Sequence, residues 1–180
     1  MNISYSPLSS HYLKSVTVDK NDVDKEIYQS KYSFTKVNED HHIQVVYAKN
    51  PVITITKEVT GKWDEFGTPI FLFQIDGTDF NGIKRTYYEA ISIPEQFSEN
   101  GVYRKSFTLN IPAGKWMVSE IAVSRYRQTG IKEVQNGNIS GVKVELNTQD
   151  HDMAKATFCN QMTTYQNFSH NDLVINEFGK

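Results

Sequence analysis

The segment PVITITKEVTG, residues 51–61, has the pattern that decides the fold class of this chain. Apolar residues recur with a period of two, so Ile53, Ile55, Lys57 and Val59 share one face of a strand. Three of these residues suit a hydrophobic core, and the fourth carries an ammonium group. Because lysine is almost never fully buried without a partner, an inward Lys57 requires a polar partner, unless the lysine stands at a strand end and its amine reaches solvent.

Short alternating runs rich in β-branched and aromatic residues occupy the rest of the 180-residue sequence, and Gly, Asn, Asp and Pro separate them. This pattern is typical of an all-β protein. The predicted strands cover residues 13–18, 32–37, 42–48, 52–59, 105–111, 115–123, 139–146 and 155–161, with a hairpin over 71–93. We predict tight hairpin turns at Asn81-Gly82 and Asn136-Gly137, because Asn and Gly tolerate positive φ.

The sequence also predicts a division into domains. Lys49, Asn50 and Pro51 interrupt the alternation, since proline removes a hydrogen-bond donor and restrains the residue before it. We therefore expect a small β domain over residues 1–49 and a β-sandwich over 51–162. About seven strands over that second range are typical of an immunoglobulin-like sandwich. Residues 163–180 read as a polar C-terminal tail or linker.

The composition excludes several classes of function. The formal net charge of −2, with 22% charged residues, provides no basic surface for nucleic acid. No apolar run is long enough for a transmembrane helix, and the N-terminus lacks the pattern of a signal peptide. The single cysteine, Cys159, excludes an internal disulfide.

Two further polar residues stand in phase with core residues. Glu120 shares a strand face with Trp116 and Val118, and Asn160 shares one with Phe158. An unpaired buried charge costs several kcal/mol or neutralises itself. Inward-facing Lys57, Glu120 and Asn160 on three strands therefore predict one mutually satisfied cluster.

Such a cluster favours a specific reaction. Burial lowers the pKa of a lysine, and the neutral amine is a nucleophile. Burial favours the protonated form of a carboxyl group, so the Lys57 proton can pass to Glu120. A protonated Glu120 could polarise the Asn160 carboxamide, and attack by Lys57 would then expel ammonia. The non-covalent alternative is a buried Lys–Glu ion pair with Asn160 as a hydrogen-bond partner.

These residues resemble a known family. The segments VITITKEVTG, GTPIFLFQIDGTDFNG, LNIPAGKWMVSE and KATFCN together are similar to the pilin-like CnaB-type domains of Gram-positive surface proteins. Lys57, Glu120 and Asn160 match the family's lysine, glutamate and asparagine positions. The resemblance implies an intramolecular isopeptide bond between Lys57 and Asn160, with Glu120 as the catalytic proton shuttle. It covers about residues 51–162, and residues 1–49 resemble, more loosely, a truncated small β repeat.

The resemblance implies a structural role. We expect a stalk or backbone module of a surface adhesin or pilus-like protein, extracellular and attached to the cell wall, with its signal and anchor outside this sequence. Its partners would be neighbouring domains of the same surface protein, and a host ligand would bind through a distal domain. We expect a monomer in isolation, with no nucleic acid, membrane insertion, metal or cofactor. The only chemistry expected is a single self-cross-linking turnover, so the chain is not an enzyme.

The alternative function is an adhesive β-sandwich that binds host glycan or protein directly. Its best support is a set of aromatic residues that could stack on sugars: Trp63, Tyr87, Tyr88 and Tyr103. Aromatic residues in strands nevertheless usually serve packing. Two polar groups could bind a cation, His41-His42 and Asp150-His151-Asp152, but both lie where turn residues are common. Cys159 alternates away from Asn160 and has no partnered histidine that would identify a nucleophile.

Overall fold

A computed structural model describes residues 1–23, 31–61, 68–93, 101–123 and 125–163. These residues form strands only, and none of them forms a helix long and apolar enough to cross a membrane. The N-terminal strands are β1 (Asn2–Ser4), β2 (His11–Val18), β3 (Asn21–Asp22), β4 (Lys31–Ser33) and β5 (Ile43–Lys49). The later strands are β6 (Val52–Thr60), β7 (Ile70–Asp79), β8 (Lys84–Ser92), β9 (Val102–Asn110), β10 (Gly114–Ile121), β11 (Tyr126–Gln135), β12 (Gly137–Ser140), β13 (Lys143–Asn147) and β14 (Met153–Met162).

The later strands build a sandwich of two sheets. One sheet has the order β12-β13-β10-β7-β8, and the other has the order β11-β14-β6-β9. Within the second sheet the sandwich's first and last strands, β6 and β14, are parallel neighbours. The two sheets enclose one apolar core that includes Phe71, Phe73, Trp116 and Phe158. The prediction of an all-β fold with a β-sandwich is therefore confirmed.

Strand β6 follows the alternation of its sequence without interruption. Ile53, Ile55, Lys57 and Val59 are all fully buried, and the residues between them are partly exposed. The lysine therefore does not extend to solvent at a strand end. It lies in the core on the same face as the two isoleucines, as the period of two predicts.

The N-terminal strands form a smaller structure of their own. Strands β3, β2 and β5 make one sheet, and β1 pairs with β4. Leu13 and Val16 are the buried centre of this part. Asn50 contacts both parts, because its backbone N–H donates to Ser10 O at 2.8 Å and its side-chain amide donates to Asn110 O at 3.5 Å. The division of the chain into domains at this residue stays a prediction.

Several predicted strand limits were wrong. The predicted strand over 32–37 is the short β4, which ends at Ser33. Residues 139–146 form two strands, β12 and β13, around Gly141 at φ +62°. Strand β11 was not predicted. It is a mostly exposed edge strand with register shifts against β14, so its alternation is weak.

Both predicted Asn-Gly hairpin turns also differ from what the structure shows. Asn136, at φ +56°, connects β11 in one sheet to β12 in the other, so it marks a crossing between sheets and not a hairpin. At Asn81-Gly82 only Gly82 has positive φ, at +83°. The loop is longer than two residues, because Asp79 N–H donates to Ile83 O, and the Asp79 carboxylate accepts the N–H groups of Asn81 and Ile83.

A close approach of two strands explains why Gly77 is glycine. It pairs with Trp116 across β7 and β10. A Cβ at Gly77 would lie 2.1 Å from Lys115 O and 2.6 Å from Trp116 Cε3. The backbone atom cannot move aside without breaking the strand pairing.

We expect Gly77→Ala to lower the free energy of unfolding by about 1–3 kcal/mol, the usual cost of overpacking. Gly130→Ala is the matched control, because a Cβ at Gly130, also within a strand, would meet nothing within 4 Å. Chemical denaturation of both variants and the parent measures the difference. Equal stability of the two variants would contradict the steric explanation.

Candidate functional site

The structure brings Lys57, Glu120 and Asn160 together between the two sheets. Lys57 is on β6 and Asn160 is on the parallel neighbour β14, where Lys57 pairs with Phe158 and Asn160 pairs with Val59. Both side chains therefore leave the same sheet toward the core. Glu120 reaches them from β10 in the opposite sheet. The three side chains that the alternation of their strands predicts to face the core therefore meet at one point.

One carboxylate bridges the other two groups. The Lys57 ammonium donates to Glu120 Oε2 at 2.6 Å, and the Asn160 amide donates to Glu120 Oε1 at 2.5 Å. The side chains of Lys57 and Glu120 are 0% and 2% exposed, and Asn160 is 2% exposed. Solvent therefore does not screen this ion pair, and both oxygens of the carboxylate are occupied.

The surroundings of the amine are apolar. Lys57 Nζ lies 4.4 Å from the centroid of the Phe71 ring. Burial lowers the pKa of Lys57 from 10.5 to about 8, although the nearby Glu120 carboxylate opposes that shift. A neutral amine is therefore far easier to reach near neutral pH than for a lysine in water. This is the state in which lysine acts as a nucleophile.

The Asn160 carbonyl is the unsatisfied group of the site. Its Oδ1 is buried and has no hydrogen-bond partner among the described residues. A buried carbonyl without a partner costs free energy comparable to that of a lost hydrogen bond. A hydrogen-bond donor that reached this oxygen would remove that cost.

Directly outside the site, a second polar network crosses the same sheet. Glu58 accepts Lys132 Nζ at 2.7 Å and approaches Arg104 Nε at 3.3 Å. Arg104 also donates to Glu133, which accepts the Thr157 hydroxyl at 2.8 Å. The network joins all four strands of this sheet. Sequence analysis missed it, because isolated charged residues on a strand are common on any exposed face and do not indicate which strands they connect.

Cys159 belongs to the edge of this network, on the face opposite Asn160, as predicted. Its Sγ lies 3.7 Å from Glu58 Oε1. Burial, together with the negative charge of Glu58, raises the pKa of the Cys159 thiol. The thiolate is therefore disfavoured at this position, which does not suit a nucleophile.

The remaining candidates are not assembled into one site. His41 Nδ1 lies 2.8 Å from Asp19 Oδ2, and the His42 N–H donates to the other Asp19 oxygen, so both residues order a turn. The carbonyl of Asp152, in the polar connection 150–152, accepts the N–H of Val52. Among the residues that the structure describes, no group of three or more His, Cys, Asp or Glu could hold a metal ion.

The predicted aromatic platform is wrong for the described members. Tyr87 is half-buried against Trp116, with ring centroids 5.6 Å apart, whereas Tyr88 faces solvent at 58% exposure. Tyr103 packs on the core from β9 in the other sheet. Adjacent residues of a strand point to opposite faces, so these rings do not share a surface. Trp63 lies outside the described residues, as does the tail from residue 164.

Comparisons with known proteins give distant structural likenesses. No protein-family model matches the chain. No curated protein matches it. An adhesin from Mobiluncus mulieris, described as containing intramolecular disulfide, isopeptide and ester cross-links, matches 74% of this chain at 13% identity and a TM-score of 0.38. The major pilin from Streptococcus pyogenes matches 90% of this chain at 16% identity and a TM-score of 0.33. The matches cover 48% of the adhesin structure and 68% of the pilin structure, so the chain spans about half of the former.

The lowered pKa of Lys57 predicts how stability depends on pH while the amine is free. Asn160→Ala keeps the Lys57–Glu120 pair and cannot form the amide. Between pH 8 and 10.5 the unfolded lysine binds a proton that the native lysine has released. Stability therefore rises with pH across this interval.

Asn160→Ala with Lys57→Met is the control, because it has the same tyrosines and lacks the amine. Denaturation at several pH values should show a more positive slope for Asn160→Ala than for the control. An equal slope would mean that the pKa of Lys57 is not lowered.

Proposed function

We propose that this chain is a structural stalk or backbone module of a Gram-positive surface adhesin or pilus-like protein, held together by an isopeptide bond between Lys57 and Asn160. The observation that supports this function is the buried triad, in which the Glu120 carboxylate contacts both prospective partners. The module would be extracellular, attached to the cell wall through other parts of its protein and linked in series to neighbouring domains.

The reaction balances within the triad. Lys57 transfers a proton to Glu120, and the neutral amine attacks Cγ of Asn160. The protonated Glu120 donates to Asn160 Oδ1 as negative charge develops there. The carboxyl group then relays one proton to the departing nitrogen, which leaves as ammonia. One C–N bond forms and one breaks. Of the two protons that the Lys57 ammonium gives up, one leaves in ammonia and the other stays on Glu120, and the module turns over once on itself.

The position of the three groups in the core would accelerate formation of the amide. Holding amine and amide on adjacent strands replaces a bimolecular encounter with an intramolecular one. Water is excluded from the site, since all three side chains are at least 98% buried. Hydrolysis of the amide would need water at the same position, so the bond is protected once it has formed.

The position of the bond suits a module under tension. Lys57 lies in the first strand of the sandwich and Asn160 in the last, and the two strands are neighbours. Force that enters β6 can pass through the side-chain amide directly into β14. The strands between them, from β7 to β13, are then outside the loaded path.

The first test is the intact mass of the folded protein. We expect it to be lower than the sequence mass by one ammonia, with fragmentation placing the linkage between Lys57 and Asn160. Glu120→Ala should fold and keep the full mass, because it lacks the proton shuttle.

Lys105→Ala is the matched control, since Lys105 pairs with Lys57 across β9 and β6 but is exposed. It should lose ammonia as the parent does. A parent protein of unmodified mass would remove the proposed bond, and normal ammonia loss in Glu120→Ala would identify a different proton shuttle.

The second test concerns mechanical and thermal resistance. A cross-link from Lys57 to Asn160 closes a loop of about 100 residues, for which loop entropy predicts roughly 4–5 kcal/mol of stabilisation. That is a large share of the roughly 5–15 kcal/mol typical of a domain. We expect resistance to heat that a reducing agent does not alter and that Lys57→Ala removes.

Single-molecule pulling from the two termini separates the mechanical role from simple stabilisation. The parent should show no extension from residues 57–160, and Lys57→Ala should show it in full. Lys105→Ala should behave as the parent. If the parent and Lys57→Ala extend alike, the chain has no shielded core, and direct ligand binding becomes the better function.

A further inference from the structure

Strand β5 has an open edge. It pairs with β2 and with no other strand that the structure describes, so it lies at one side of the sheet β3-β2-β5. None of its seven residues, Ile43–Lys49, is buried. An edge strand presents backbone N–H and C=O groups that can pair with another chain. Strand β5 is therefore a candidate surface for the addition of a strand.

The pairing with β2 shows which residues direct their backbone groups to the open edge. In an antiparallel pair, alternate residues bond to the neighbouring strand. The Asp19 N–H donates to His42 O at 2.8 Å, and the Asn50 N–H donates to Ser10 O at 2.8 Å. Even-numbered residues of this stretch therefore bond toward β2. The residues whose backbone groups point away from β2 are Ile43, Val45, Tyr47 and Lys49.

The other edge strands of the described sheets have features that hinder pairing with a second chain. Strands β1, β3, β4 and β12 have at most four residues each. Strands β8 and β9 contain the basic pairs Lys84-Arg85 and Arg104-Lys105, and β11 has register shifts. Short length, charges and bulges each protect an edge. Strand β5 has no proline, and its one charged residue, Lys49, is its last.

A second copy of the same strand fits this edge. Two β5 strands can run antiparallel about a two-fold axis at Val46. Ile43 then faces Lys49 of the second copy, and Val45 faces Tyr47 of the second copy. All the outward backbone groups of the strand pair with one another, which gives about eight hydrogen bonds. An axis at a neighbouring residue would leave part of the strand unpaired.

The side chains agree with this register. Val46 and Tyr47 are 37% and 39% exposed. At the axis Val46 would contact Val46 of the second copy, and Tyr47 would cover Val45 of the second copy, so apolar surface would leave water. The two Lys49 side chains would lie at opposite ends of the contact. Each would lie at the end where Glu39-Asp40 of the second copy precedes β5, so the charges are complementary.

We propose that the chain forms a symmetric dimer through its β5 edges, with the strand order β3-β2-β5-β5-β2-β3 in one continuous sheet. Each sandwich follows the C-terminal end of its own β5. The antiparallel direction therefore places the two sandwiches at opposite ends of the sheet. The dimer replaces the monomer expected from the sequence. It does not require the isopeptide bond, because Lys57, Glu120 and Asn160 all lie outside the N-terminal strands.

Sedimentation of the full chain over a range of concentrations tests the association. We expect the parent to change from monomer to dimer as its concentration rises. Val46→Lys should weaken the association about tenfold, because two ammonium groups would face each other at the axis. Val142→Lys is the matched control, since Val142 is 63% exposed and lies between β12 and β13. It should associate as the parent does, and so should Glu120→Ala.

Disulfide trapping tests the register. Both variants contain Cys159→Ser, so the introduced cysteine is the only thiol. With glutathione disulfide as the oxidant, Val46→Cys should form an intermolecular disulfide, because facing residues at this position have Cα atoms about 4.5 Å apart. Gln44→Cys is the matched control on the same exposed face of β5. Its counterpart in the second copy would lie about 13 Å away, so it should remain a thiol.

Three results would overturn the proposed dimer. The first is a monomer at every concentration up to the millimolar range, which would leave the edge to a strand of another protein. The second is equal association of Val46→Lys and the parent, which would place the contact on another surface. The third is equal trapping of Val46→Cys and Gln44→Cys, which would indicate collision without a fixed register. Thermal melts confirm that the variants are folded, and if Val46→Lys is not, the trapping result decides.

Discussion

The buried contact between Lys57 and Glu120 is the interaction on which the rest of the sandwich depends. Removing one member would leave an uncompensated charge in the core, at a cost of about 3–5 kcal/mol. Well-packed apolar residues of similar volume are often as stable as a buried ion pair or more stable. Stability alone therefore does not explain an ion pair at this position. In the proposed reaction, the adjacent Asn160, whose Oδ1 has no partner among the described residues, gives the pair a chemical use that an apolar core would not provide.

The topology places this contact beside the first and last strands of the sandwich. The first and last strands of the sandwich, β6 and β14, are parallel neighbours, and strands β7 to β13 lie between them in the chain. Glu120 is on β10, in the middle of that segment, and reaches Lys57 and Asn160 from the opposite sheet. On the outer side of the same sheet, Glu58 and its partners cross β9, β6, β14 and β11. The two strands are thus held together on both faces.

Local sequence patterns predicted which polar side chains face the core better than they predicted the complete list of strands. Lys57 and Asn160 are in phase with strongly apolar neighbours, so burial of those neighbours determines where the polar side chains point. Strand β11 has no such neighbours, because it is a polar edge strand interrupted by bulges. The role of Asn136 depends on which sheet each flanking strand joins. That assignment depends on the tertiary structure, and the Asn-Gly pair alone does not indicate it.

The cleft at the junction between the N-terminal strands and the sandwich could not be predicted from the sequence for a related reason. Asn50 and Asn81 come from separate connections, and each resembles an ordinary turn residue. Only the fold brings both residues to the lining of one cleft of about 490 Å³. Asn50 also precedes β6, the strand that would receive load before it reaches Lys57. If tension follows that path, the proposed isopeptide bond would shield the core beyond residue 57, whereas the cleft would remain on the loaded side. The same strand would then contain one end that force cannot unfold and one end that force can deform.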